Sequence, residues 1–143
     1  MVAPTRTPLS DLPKGHQFSP TTLQLTAEDV TRYLTAVGDD SAIYLERGLT
    51  PPLAVAALAL GALLETIELP DGTLHSGQEL EVRGGVPLGA ALRLSGSIAQ
   101  RSERAGFIIS VIEFEVTATG ETGGAIGGRT TVVAPTKAEE AAP

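Results

Sequence analysis

The sequence predicts an α+β fold in which one long apolar helix is rolled inside a curved antiparallel sheet. Two observations carry this. Leu53 to Leu64 is an unbroken run of twelve apolar or Gly residues. That is well short of the roughly 18–20 residues a bilayer span needs, so in a water-exposed domain every face of such a helix must be covered. The second observation is that four segments after residue 77 alternate apolar and polar side chains, separated by turn signals, as a half-buried antiparallel meander does. A helix with all-round apolarity and a sheet with one apolar face satisfy each other. Another α+β roll, with the helix laid on one sheet face, is the competing architecture.

Composition narrows the class. The 143 residues suit one domain, expected over 14–135, with a hydrophobic share of 42% but only 3% aromatics, so the core must be built from Leu, Val, Ile and Ala. A net charge of −7 argues against nucleic acid, whose phosphates call for clustered Lys and Arg. No Cys is present, which removes disulfides, thiolate metal sites and Cys nucleophiles and suits the cytoplasm. No basic-then-apolar targeting signal opens the chain, and neither a membrane nor a bound metal is expected, with only two His to offer as ligands.

Residues 1–13, with three of the ten prolines, read as a flexible or surface-draped arm. Thr22 to Leu25 alternates like a short strand. Thr26 reads as an N-cap with Asp29 three residues on, and the helix it opens places Val30, Tyr33, Leu34 and Val37 on one face until Gly38 stops it. Pro52 suits the first turn of the apolar helix. Strands are expected over 78–83, 92–101, 107–117 and 126–133; in the third, Ile108, Ile112, Phe114 and Val116 share one face, and Glu113, Glu115 and Thr117 the other. Glu103-Arg104-Ala105-Gly106 is spaced for a hairpin. Gly123-Gly124-Ala125-Ile126-Gly127-Gly128 lacks the Lys-Ser/Thr ending of a phosphate loop and reads as a hairpin tip. The tail over 136–143 is expected to be disordered.

Tyr33-Leu34-Thr35-Ala36-Val37-Gly38-Asp39-Asp40-Ser41-Ala42-Ile43-Tyr44 resembles the signature of MaoC-like hydratases and dehydratases, aromatic-Ala-x-x-Thr/Ser-Gly-Asp-x-Asn-Pro-x-His. Gly38 and Asp39 match; Ser41-Ala42 stands for Asn-Pro and Tyr44 for the His. Thr50-Pro51-Pro52, Leu74-His75-Ser76-Gly77-Gln78-Glu79 and Val86-Pro87-Leu88-Gly89-Ala90-Ala91-Leu92 are similar to further segments of the family's FAS1-type dehydratase branch, with Ala90 where Asp is usual. The similarity covers roughly 18–133. It implies the hotdog fold and chemistry on 3-hydroxyacyl or 2-enoyl thioesters of CoA or an acyl carrier protein, without a cofactor.

In the family, a carboxylate and an imidazole five residues apart hold one water between them as base and acid. Here Asp39 and Tyr44 keep that separation, but a phenol that titrates near 10 is a poor base at neutral pH. Losing the imidazole removes about 10²–10⁴-fold of general acid–base catalysis. The plain structural readings are that Asp39 holds a turn and that Tyr44 packs with its hydroxyl satisfied. Backbone amides near Leu53 and Ala54, at a helix N-terminus, are placed to bind a thioester carbonyl, as the resemblance implies. His75 is counted with the substrate-binding residues but is expected to bond backbone or Glu79. His16 lies near the first strand.

The frame without its His is most similar to the subunit of mycobacterial-type hydroxyacyl-ACP dehydratases, or the N-terminal half of two-domain MaoC enzymes, that lacks the catalytic pair. The resemblance thus implies a substrate-holding subunit beside a catalytic sister. A homodimeric acyl-CoA or acyl-ACP binding protein and a hotdog thioesterase are the alternatives.

Overall fold

The computed structural model describes residues 5–118 and 125–136. Its largest element is a five-stranded, wholly antiparallel sheet of β2 (Gln17–Gln24), β4 (Leu74–Val82), β5 (Ala91–Arg104), β6 (Phe107–Ala118) and β7 (Ile126–Pro135). They lie in the order β2-β5-β6-β7-β4. A two-stranded parallel pair, β1 (Thr7–Pro8) with β3 (Ile67–Glu68), sits apart from it. Three helices, α1 (Ala27–Ala36), α2 (Ile43–Arg47) and α3 (Pro52–Leu64), come between β2 and β3.

The alternation anticipated for β6 is realised: every second residue from Ile108 to Ala118 is buried. Leu92, Leu94 and Ile98 of β5 and Ile126, Val132 and Ala134 of β7 join them on the apolar face, with no Trp or Cys needed. β5 and β6 close through Ala105 and Gly106, both at positive φ (51° and 85°) between the paired Arg104 and Phe107, as a two-residue type I′ hairpin requires.

Two glycines seat the interior of this sheet. Phe114 pairs with Gly96 on one side and Gly128 on the other. A Cβ on Gly96 would touch Leu63 of α3 at 3.4 Å, so the helix lies directly over that position. A Cβ on Gly128 would stand 2.4 Å from Phe114 Cζ. The largest aromatic of the core therefore occupies the space a side chain on β7 would take.

α1 starts with a full capping box: Thr26 Oγ1 accepts the Asp29 N–H at 3.1 Å and Asp29 Oδ2 accepts the Thr26 N–H at 2.9 Å. Those contacts hold the Asp29 carboxyl below the usual carboxylate range, the backbone bond from Thr26 being the largest cause. α3 begins with Pro52 at its first position and buries Ala54, Val55, Ala59 and Leu63.

Three expectations need correction. The arm over 1–13 is pinned across its described part: Thr7–Pro8 pairs with β3, and Leu9 and Leu12 are core residues, so apolar burial outweighs the local proline content. Residues 1–4 and 137–143 lie outside the described part, as do 119–124, which include most of the anticipated hairpin tip. Helix α3 is not covered on every side within this chain, since Leu53, Ala57 and Gly61 form an exposed strip along it. Finally, the first strand extends back to Gln17, with a register irregularity between Phe18 and Thr21 that accommodates Pro20 on an edge strand.

Candidate functional site

Asp39 and Tyr44 share one compact connection between α1 and α2. The helix ends as Asp39 N–H donates to the Leu34 carbonyl at 2.9 Å, with Gly38 at φ 74°. Asp39 Oδ1 then accepts the Ser41 N–H at 2.9 Å, and Ser41 Oγ accepts the Ile43 N–H at 3.3 Å. These two successive side-chain turns start α2, and the structural role of Asp39 is thereby visible in the geometry. The same carboxylate keeps Oδ2 outside that turn and lies exposed. Tyr44, in the first turn of α2, packs partly buried against the core. Its hydroxyl bonds no other described residue, and the side chain is only partly buried.

The next segment is laced to the turn after β4. Leu49 bridges Pro87, Thr50 N–H donates to the Val86 carbonyl and Leu88 N–H to the Gly48 carbonyl, both at 2.8 Å. The segment that leads from α2 into α3 is thereby tied to the 86–88 turn. Of the two amides anticipated there, that of Ala54 already donates to the Pro51 carbonyl at 3.0 Å. Pro52 has no N–H to give, which leaves Leu53 as the amide facing outward from the helix start.

The histidines stand elsewhere. His75 is at the beginning of edge strand β4, opposite Val132. From there to Val82, next to the Val86–Leu88 turn, the strand advances roughly 20 Å at about 3.3 Å per residue. His75 is exposed, and among the described residues its ring bonds neither backbone nor Glu79. Within one chain it cannot replace the imidazole at position 44. His16 packs edge-on against Phe18, ring centroids 5.0 Å apart, a structural role. Among the described residues no three His, Asp or Glu side chains converge on a common point.

Sequence reasoning did not anticipate α2, a five-residue helix. Val37 (56% exposed), Ile43 (47%) and Leu45 (39%), at the end of α1 and within α2, and Leu53 (63%) of α3 are large apolar side chains left in water. The signal was present as Ile43-Tyr44-Leu45, a run too short to read as a helix.

A groove of about 500 Å³ lies on the other face of the sheet, lined by Glu79, Glu81, Arg83, Glu113, Glu115 and Arg129 among others. Most of its charges are paired, Arg129 with Glu113 at 3.0 Å among them. Arg83 binds Glu115 through two nitrogens at 2.8 and 2.9 Å and Glu81 at 3.1 Å, which keeps its guanidinium protonated well above the ordinary arginine range. None of Asp39, Tyr44, Leu53, Ala54 and His75 lines it.

An antiparallel sheet with α3 packed over its apolar face defines an α+β domain, and comparison with solved structures gives that domain its class. The (R)-hydratase from A. caviae involved in PHA biosynthesis superposes with a TM-score of 0.71 at 18% identity, over 87% of this chain and 98% of its own. The MaoC-like dehydratase from Rhodospirillum rubrum gives 0.70 at 17%, over 90% and 97%. The C-terminally truncated HadBC (3R-hydroxyacyl-ACP dehydratase) complex from Mycobacterium tuberculosis gives 0.68 at 21%, over 84% and 96%. No protein-family model and no curated sequence matches the chain. The chain thus has the hotdog fold of MaoC-like dehydratases and (R)-hydratases, at identities where fold alone is shared. No helix among the described residues is long and apolar enough to cross a membrane.

Proposed function

We propose that the chain is a hydratase/dehydratase-class protein for 3-hydroxyacyl and 2-enoyl thioesters, acting in the cytoplasm as the substrate-binding subunit of a heteromeric dehydratase. One observation carries this reading. The connection that resembles the family's catalytic segment holds Asp39 in its turn, yet position 44 is a phenol and His75 stands at the far end of β4. A subunit so made can position a thioester but lacks the group that shuttles the proton. In this reading α3 is the central helix of the hotdog, and its exposed strip at Leu53, Ala57 and Gly61 is covered by the second subunit. The Leu53 amide polarises the thioester carbonyl from the positive end of α3, and the open Tyr44 hydroxyl donates to the same substrate.

The test is hydration of crotonyl-CoA by the purified chain, alone and co-expressed with a hotdog chain that carries an intact Asp/His pair. Activity only in the pair supports the proposal. Robust turnover by the chain alone, abolished by Asp39→Asn, makes it an enzyme in its own right and defeats the subunit reading. A stable homodimer that binds acyl-CoA and never turns it over favours the binding-protein alternative.

A further inference from the structure

Ser110 stands in β6 between two inward-facing apolar residues, Ile108 and Ile112, both buried, and is itself wholly buried. A hydroxyl so placed ordinarily makes a hydrogen bond, because an unpaired one loses its hydration without replacement. Ser110 Oγ has no hydrogen-bond partner among the described residues.

Directly across the ladder is Arg101 of β5, the register partner of Ser110. Opposite residues of an antiparallel pair project to the same face, their Cβ atoms about 4.5–5.5 Å apart. One end of the Arg101 guanidinium is engaged: Nη2 donates to the Ser10 carbonyl at 3.2 Å and meets Glu103 Oε2 at 3.1 Å. Arg101 Nε is shielded from solvent and, like Ser110 Oγ, has no hydrogen-bond partner among the described residues. The one other buried side-chain atom of this kind among them, Arg129 Nε, faces Glu113 at 3.0 Å in an ion pair. The two groups left over therefore share a single rung of the sheet.

Chemistry limits what can satisfy both. Nε–H only donates, while the hydroxyl donates or accepts, so one oxygen between them can serve the two together. An anion is disfavoured, since Glu103 already pairs with the guanidinium and a buried charge needs its own partner. A large molecule has no way in: Ser110 is without exposure, and Leu9 and Leu12, on either side of the Ser10 contact, are core residues. A buried water is held by about two to four polar partners, and this rung supplies the first two.

We propose that one water molecule is held inside the protein between Arg101 Nε and Ser110 Oγ. The N-terminal segment at Ser10, the guanidinium, the water and β6 then form one hydrogen-bonded chain, which clamps that segment to the sheet.

Water-selected NOE and ROE spectra of the ¹⁵N-labelled chain read this in solution. In the wild type a cross-peak between the Arg101 Nε–H and water is expected, with the opposite signs in the two spectra that mark a long-lived contact rather than proton exchange. It is expected to be lost in Ser110→Val, whose methyl groups take the place of the water. No such cross-peak from the folded wild type, or one unchanged in Ser110→Val, overturns the proposal. Should the variant not fold, a high-resolution crystal structure of the wild type decides. Density for one oxygen at roughly 2.5–3.2 Å from both atoms supports the proposal. Empty density there, or a direct bond from either atom to a protein group, overturns it.

Discussion

Gly128→Ala is the substitution whose cost the coordinates fix most directly. An added Cβ would stand 2.4 Å from Phe114 Cζ and 2.5 Å from Cε2, where carbon atoms normally rest at about 3.5–4.0 Å. The ring must retreat by about an ångström, and it has little room: Phe114 is buried, and across the ladder Leu63 of α3 already occupies the space over Gly96. Overpacking of this kind costs about 1–3 kcal/mol, partly offset by the roughly 0.5–1 kcal/mol that Ala gains over Gly in a strand. A net loss of about 1–2 kcal/mol should lower the midpoint of thermal unfolding by roughly 3–6 °C for a chain of this size. Urea unfolding of Gly128→Ala, Phe114→Leu and the double variant supplies the second reading. Leu leaves the space the new methyl needs, so the double variant should be more stable than the sum of the single effects by at least about 1 kcal/mol. A neutral Gly128→Ala, or strictly additive single effects, would refute the proposed seating of Phe114.

Other outcomes follow from the same geometry. Gly127→Ala meets only the ends of the flexible Arg83 and Glu115 side chains, at 2.6 and 2.8 Å; it should cost less than about 1 kcal/mol in urea unfolding and clearly less than Gly128→Ala. Thr26→Ala removes one half of the α1 capping box and should cost about 1 kcal/mol in the same assay. Because folding lowers the Asp29 carboxyl below its ordinary value, its contribution is in place above the unfolded value near 4 and disappears as pH falls through the folded one; Asp29→Asn should flatten the stability profile below about pH 4. Asp39→Asn keeps an oxygen for the Ser41 N–H, so it should leave the free energy of urea unfolding unchanged within about 0.5 kcal/mol.

Those parts of the fold with a local physical signature could be read without coordinates. Thr26 with Asp29 marked the start of α1, Pro52 that of α3, and the alternation from Ile108 to Val116 gave both the strand and its buried face. The four-residue spacing around Ala105-Gly106 gave the hairpin. Features decided by distant contacts were not legible. Leu9 and Leu12 are buried because β1 finds β3 some sixty residues away, which no local pattern announces. Pro20 concealed the outer half of β2, since its tolerance depends on β2 being an edge.

At the candidate site, Asp39 and Tyr44 fall on one short connection, as their order suggested, whereas His75 lies at the start of β4, far along the strand from Val82. The expectation of an α3 buried all round came from treating one chain as the whole molecule. Its exposed strip is consistent with a partner, which the sequence of a single subunit cannot display.

The division of labour between two subunits is tested most directly in the reconstituted pair, by changing one carboxylate at a time. Asp39→Asn in this chain should leave kcat for crotonyl-CoA hydration within about threefold of the unaltered pair, while Asn in place of the partner's catalytic Asp should lower it by about 10²-fold or more. Equal losses from the two substitutions, or a loss confined to Asp39→Asn, would contradict the account.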